Sequence, residues 1–317
     1  MRFEVTGDPA VSAVPYELSV LVRRLFGAFS FAYVPHGPET ENQRDSYQDQ
    51  LVHLGKALRK WLPWTCLFIR FDPGWYHAGC DAEKPDRPLF DRPLRKASDV
   101  QPPDTVVLDL SFSDDELLAR MKPKWRYNIK LAEKKNVHIT EAGSEELGTF
   151  FNLYQQTAAR DRIAIHPKQY YASLFEHASI SHQAEPHPEL RLWVARHEGQ
   201  ALACIITLFY GTTATYLYGA SSDEKRNLMP TYALQWAAMK AAKAAGCLEY
   251  DLYGIPPTND EHHPMAGLYR FKTGFGGGLR HYPGAWDYLY LPPVYALFRI
   301  AERARLLWHK KIRKNFR

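Results

Sequence analysis

The sequence predicts an α+β fold. Three observations carry this expectation. The 317 residues suit one large or two medium domains. Residues 191–253 read in order as hairpin, strand, long helix and strand. Residues 29–110 hold short apolar runs of strand length, broken by turn signals and one segment of helical spacing.

Each element has its own local reason. Apolar runs occupy Leu18 to Leu25 and Phe29 to Val34, and the second is stopped by Pro35-His36-Gly37-Pro38. Residues 46–61 carry Leu51, Leu54, Leu58 and then Leu62 at helical spacing. Cys66 to Phe71 is a short buried strand with Asp72 at its exit, followed by Pro73. Residues 78–104, rich in Pro, Asp and Lys, read as a connection, and Val106 to Leu110 as a further strand. Ser113, with Glu116 three residues on, starts a helix that runs through Met121. A helix is expected around 145–160. Arg191 to Arg196 pairs with Ala201 to Tyr210 across the turn 197–200. A third strand lies near 213–219, and Pro230 opens an alanine-rich helix that ends at Gly246. Leu248 to Tyr253 closes the unit as a strand.

Composition narrows the function classes. The cysteines, Cys66, Cys80, Cys204 and Cys247, form no CxxC pair, which excludes a disulfide framework or a cysteine zinc site. No basic segment followed by an apolar stretch opens the chain, and no run reaches the roughly 18–20 apolar residues that span a bilayer. A cytoplasmic location is expected, or one at the inner face of the membrane. The net charge of +5 is unevenly spread: 299–317 holds eight Lys and Arg against one Glu, and 120–135 holds seven against one. Two basic islands on an acidic body fit a polyanionic partner such as tRNA, a diphosphate or an anionic membrane surface; solvated helix faces are the alternative. Glu261-His262-His263 lacks the i,i+4 spacing of a helical metal site, and no metal is expected. Gly274 to Gly278 fits no phosphate-loop pattern and reads as a turn or mobile flap.

Hairpin, strand, long helix and strand is also the element order of the GNAT acyltransferase core, in which neighbouring strands part to form a V-shaped gap. Enzymes of that class that use acyl-CoA have a glycine-bearing phosphate cradle ahead of the long helix. Here 224–231 contains no glycine, and Pro230 has no N–H to offer. Acyl-CoA is therefore not the expected donor, and no cofactor is expected.

Over about residues 25–290 the sequence resembles the FemABX family of aminoacyl-tRNA-dependent peptidyltransferases, in a compact form without an inserted helical arm. The matching stretches are Phe31-Ala32-Tyr33 with Gly37-Pro38, Leu67 to Pro73, Lys122 to Lys130, Tyr216 to Ser221, Pro230-Thr231-Tyr232 with Gln235-Trp236, Tyr250 to Ile255, and Phe271-Lys272. The resemblance implies two GNAT-like domains with mixed sheets, here 1–109 plus 285–317 and 110–284. It implies an aminoacyl-tRNA donor and, as acceptor, the stem-peptide amine of a peptidoglycan precursor. Lys272 matches the family's functional lysine near the acyl ester, Phe271 the aromatic before it, and Asp72 a carboxylate that holds the amine. Tyr218 and Tyr170 match tyrosines lining the precursor site. His166 stands where the family has an arginine at the precursor diphosphate, with Arg162 and Lys168 as neighbouring substitutes. The family's N-terminal segment with Trp and Lys, whose lysine contacts the same diphosphate, finds no match ahead of the first strand. Both departures leave a lipid-linked or different acceptor open beside a soluble UDP-linked one. From the basic islands, Lys122, Lys124, Arg126, Lys310, Lys311 and Arg313 are expected to hold tRNA, or, in the tail's case, an anionic membrane surface. A monomer is expected. Another activated acyl donor, or a catalytically silent RNA-binding module, are the competing readings.

Overall fold

The computed structural model describes residues 2–5, 16–38, 47–78, 90–180 and 187–315, with side chains for 18–38, 47–76, 90–180, 187–302 and 304. In chain order its strands and helices are β1 (Arg2–Val5), β2 (Tyr16–Ser19), β3 (Leu21–Arg24), β4 (Ser30–Pro35), α1 (Tyr47–Leu58), β5 (Cys66–Asp72), β6 (His77–Ala78), β7 (Leu94–Lys96), β8 (Asp104–Asp109), α2 (Asp114–Arg120), α3 (Pro123–Lys134), β9 (His138–Ala142), α4 (Leu147–Asp161), α5 (Lys168–Ile180), β10 (Glu189–His197), β11 (Gln200–Tyr210), β12 (Thr213–Ser221), α6 (Pro230–Ala244), β13 (Glu249–Asp251), α7 (Ala266–Thr273), β14 (Gly278–His281), β15 (Trp286–Leu289) and α8 (Pro292–Asn315). The chain forms two compact units. One comprises Met1–His77, Pro85–Pro103 and His281–Arg317; the other comprises Ala78–Lys84 and Asp104–Arg280. Both are α+β with a mixed sheet, as the resemblance implied.

The first unit is built on a five-stranded sheet in the order β3-β4-β5-β15-β7, in which only β4 and β5 run parallel. β5 is buried along its whole length because both faces are covered. On one face α1 presents Leu51, Leu54 and Leu58, spaced along one helical stripe, to Ile69, Phe71 and Trp286. On the other face Leu67 and Phe68 pack with Tyr295 and Phe298 of α8. The buried carboxylate of Asp287 ties three elements together. Arg70 grips it through Nε (2.7 Å) and Nη2 (2.9 Å), and the Tyr295 hydroxyl donates to it at 2.8 Å.

In the second unit's eight-stranded sheet, seven strands run in the order β14-β8-β13-β12-β11-β10-β9. The expected hairpin is β10-β11, closed at His197↔Gln200. α3 and α6 line one face around Trp125, Ile129, Leu234 and Ala238; α4 and α5 line the other around Phe150, Leu153 and Tyr171. The Ser113 capping box opens α2 as its sequence predicts. β8 pairs with β13 in this sheet. The glycine run after α7 is a packed turn and not a flap. A Cβ at Gly276, where φ is +86°, would lie 2.5 Å from the Arg120 carbonyl oxygen, and one at Gly277 would lie 2.7 Å from that of Val107.

Candidate active site

The second unit's sheet splits where chemistry is possible. β12 has nine residues, yet only Thr213, Ala214 and Thr215 pair with the parallel strand β13. From Tyr216 onward β12 leaves its neighbour, and the two strands part in the V that the element order suggested. A bulge in the β11-β12 register falls at Leu217, because Thr207 opposes Tyr216 while Ile206 opposes Tyr218. Residues two apart normally share a sheet face. The extra residue breaks that rule, so Tyr216 packs with the core beneath α3 and α6 while Tyr218 packs with the core beneath α4 and α5.

Lys272 occupies the fork. It lies in the last turn of α7, is 5% exposed, and carries its Nζ 5.1 Å from the centre of the Tyr216 ring. Nζ donates to the carbonyls of Tyr253 (2.7 Å) and Gly254 (3.0 Å), just past β13. Successive carbonyls diverge in an extended chain. Here Tyr253 is left-handed (φ 56°), and the two oxygens converge on one nitrogen. The turn is held by Asp251, whose Oδ1 accepts from the Tyr253 N–H at 2.7 Å and from the Thr105 hydroxyl. Burial pushes Lys272 down to about 7, against the opposing pull of the Asp251 carboxylate. Burial likewise raises Asp251 itself.

This geometry fixes what Lys272 can do. An ammonium has three donors, and two are committed to carbonyls. The third position is an N–H when the lysine is charged and a lone pair when it is neutral. Near neutral pH both forms are populated, so the group can either stabilise a developing oxyanion or exchange a proton. Phe271, beside it, has its ring in edge contact with Tyr232 and Phe275, both at 5.2 Å between ring centres.

Tyr170 and Tyr218 meet on the opposite face of the same sheet. The hydroxyls of Tyr170 and Tyr218 are 3.3 Å apart, and His166 stacks on Tyr170 at 4.1 Å. Tyr171 lies beneath them, pushed up to about 12 by burial. Lys168 does not join this group. Residues two apart on a helix point to different sides, and Lys168 lies over Gly148, lining a cavity of about 570 Å³ with Leu147, Phe175 and Glu176. Arg162 ends α4 in the left-handed conformation (φ 55°) and is exposed.

Asp72 belongs to the first unit. It is buried at the end of β5, accepts from the Gln101 N–H (3.0 Å) and the Tyr33 hydroxyl (3.1 Å), and is raised by burial. Of the expected tRNA contacts, Lys122 and Lys124 are exposed at the start of α3. Arg126 instead points its Nη1 at the carbonyls of Leu118, Ala119 and Met121, closing the end of α2. Lys310, Lys311 and Arg313 lie on α8, and their side chains fall outside the described residues. Among the described residues no group of three or more potential metal ligands occurs. His262 and His263 are engaged in a local turn, with the His262 N–H on Asp260 and the Met265 N–H on His263 Nδ1. No described helix is long and apolar enough to cross a membrane.

Sequence reasoning did not single out three residues that hold the surroundings of Lys272: Asp251, the left-handed Tyr253, and Trp125, whose indole N–H donates to the Phe271 carbonyl at 2.9 Å. An acid at a strand end with Tyr-Gly two residues on was the available signal for the first two.

Comparison with known proteins agrees with this architecture. The Lipid II:glycine glycyltransferase of Staphylococcus aureus is 24% identical over an alignment of 258 positions, which takes in 62% of this chain and 61% of the relative. The chain thus spans about three fifths of that relative's length. The crystal structure of FemX superposes with a TM-score of 0.74 at 19% identity, covering 94% of this chain and 89% of that one, and shares its fold. A sequence model of the FemAB family matches residues 92–178 and 191–303, well over half of the chain. The chain therefore belongs to the FemAB family.

Proposed function

We propose that this chain is an aminoacyltransferase. It moves an amino acid from the ester of an aminoacyl-tRNA to the stem-peptide amine of a peptidoglycan precursor, lipid II or UDP-MurNAc-pentapeptide. The observation that carries the reading is Lys272, buried in the fork between β12 and β13 with one coordination position left over. Family membership supports acyl transfer, and a relative named for glycine transfer with lipid II supports the acceptor class.

The amine nitrogen attacks the ester carbonyl carbon, and the carbonyl oxygen takes negative charge. Collapse breaks the carbon–oxygen bond to the ribose, whose oxygen receives the proton lost by the amine. The ester is already activated, so positioning and charge stabilisation suffice. Lys272 donates its third N–H to the oxyanion. Tyr170, Tyr218 and His166, with Arg162, contact the precursor. Exposed Lys122 and Lys124 contact tRNA phosphates, as do Lys310, Lys311 and Arg313 of the tail. The reaction takes place in the cytoplasm, at the inner face of the membrane when the acceptor carries lipid, and the working species is a monomer.

Incubation with a mixture of radiolabelled aminoacyl-tRNAs and purified precursors tests the reading. Label should move from one tRNA to one precursor. Tight tRNA binding with no transfer to any precursor would point instead to an RNA-binding module.

A further inference from the structure

The first turn of α3 grips the chain on both sides of Lys272. On the near side, the Trp125 indole N–H donates to the Phe271 carbonyl at 2.9 Å. On the far side, the Lys122 backbone N–H donates to the Gly274 carbonyl at 2.9 Å. The bond to Phe271 fills a specific vacancy. The last carbonyls of a helix have no partner within it. In α7 those of Arg270, Lys272 and Thr273 accept from the N–H groups of Gly274, Phe275 and Gly276, and the Phe271 oxygen is met by the indole. Contact between the segments is also tight: a Cβ at Gly274 would lie 2.1 Å from indole Cε2, so only glycine lets the two meet this closely.

The other side of the same turn faces water. Lys122 and Lys124 are exposed, and the Lys122 Nζ lies 5.9 Å from the centre of the Trp125 ring. One helical turn therefore presents cations outward and holds the backbone of Lys272 inward.

We propose that Trp125 is a positioning residue that couples polyanion occupancy of the basic first turn of α3 to the alignment of Lys272. This rests on the aminoacyl-tRNA reading. RNA phosphates seated on Lys122 and Lys124 fix the turn, and Trp125 passes that constraint to the Phe271 carbonyl and so to the Lys272 side chain. The oxyanion donor is then set only when the donor substrate is bound.

The test uses the full chain, deacylated tRNA and hydrogen exchange. In the wild type, tRNA should slow exchange in 266–276. Trp125→Phe keeps an aromatic wall and removes the N–H. It should bind tRNA with unchanged affinity yet lose that slowing, and kcat should fall about tenfold at unchanged KM for aminoacyl-tRNA, the scale of one lost hydrogen bond. Lys122→Gln with Lys124→Gln removes the seat itself, so it should raise KM for aminoacyl-tRNA and also lower kcat, with the slowing of 266–276 lost even at saturating tRNA. Equal slowing of 266–276 in wild type and Trp125→Phe overturns the coupling alone. Absence of tRNA binding to the wild type overturns the donor reading, and the coupling with it. If Trp125→Phe does not fold, the wild type decides by itself, because tRNA binding without slowed exchange in 266–276 overturns the proposal.

Discussion

Replacing Lys272 by methionine keeps the length and most of the volume of the side chain while removing its charge. The folded lysine is lowered from 10.5 to about 7 by burial. Between those values the unfolded chain binds more protons than the folded one, so wild-type stability rises with pH there and is flat below about 7. At about 1.4 kcal/mol per unit, the full shift amounts to about 5 kcal/mol of destabilisation at low pH that fades as the unfolded lysine loses its proton. The methionine variant lacks this dependence. It also leaves the Tyr253 and Gly254 carbonyls without their donor, at about 1–3 kcal/mol each, a term with no pH slope. The net difference at any one pH therefore mixes two effects, but its slope isolates the lysine. Linkage gives a change of about 3 kcal/mol in favour of the wild type between pH 6 and pH 9. Urea unfolding of both proteins at several pH values, at constant salt, measures it. Parallel stability curves would mean that Lys272 is not held desolvated in the fork, and the proton-exchange role would fall with that result.

Three further outcomes are expected. Asp287→Ala strands the buried Arg70 guanidinium and should lower stability by about 3–5 kcal/mol in denaturant titration, whereas a loss under about 1 kcal/mol would mean the pair is solvated. Asp72 is raised by burial, so its contribution favours the folded state at low pH and is lost as pH rises through its folded value; Asp72→Asn should melt higher than wild type at pH 7, and that advantage should shrink towards pH 4, while a constant gap would remove the desolvation account. Lys122→Gln with Lys124→Gln should weaken tRNA binding and lower the slope of log K against log salt by about 2, and an unchanged slope would show that these exposed lysines do not contact phosphate.

The elements legible in the sequence were those with local causes. α2 had its Ser113 and Glu116, α6 its Pro230 and alanine run, and the β10-β11 hairpin its alternation and a turn at Glu198-Gly199. α7 carries no such signature. Its eight residues include Gly267 and two aromatics, and Tyr269 and Phe271 are fixed by packing against distant parts of the unit. Lys272 was legible as a candidate through family resemblance, but its burial was not, because the groups around it come from β12 and from the turn after β13. Sequence proximity also misled in two places. Lys168 is two residues from Tyr170 yet faces another cavity, and Arg126 sits in a basic run yet closes the end of α2. Helix periodicity explains the first; the second depends on how α2 and α3 meet, which no local pattern encodes.

The central claim is that Lys272 stabilises charge during transfer of an aminoacyl group from tRNA to a precursor amine. Its most direct test is a single-turnover reaction with purified aminoacyl-tRNA and lipid II, comparing wild type with folded Lys272→Ala and detecting the new amide by mass spectrometry. Wild type should form the amide, and Lys272→Ala should form it on the order of 10²–10³ times more slowly at saturating tRNA. Equal rates in the two proteins would contradict the account.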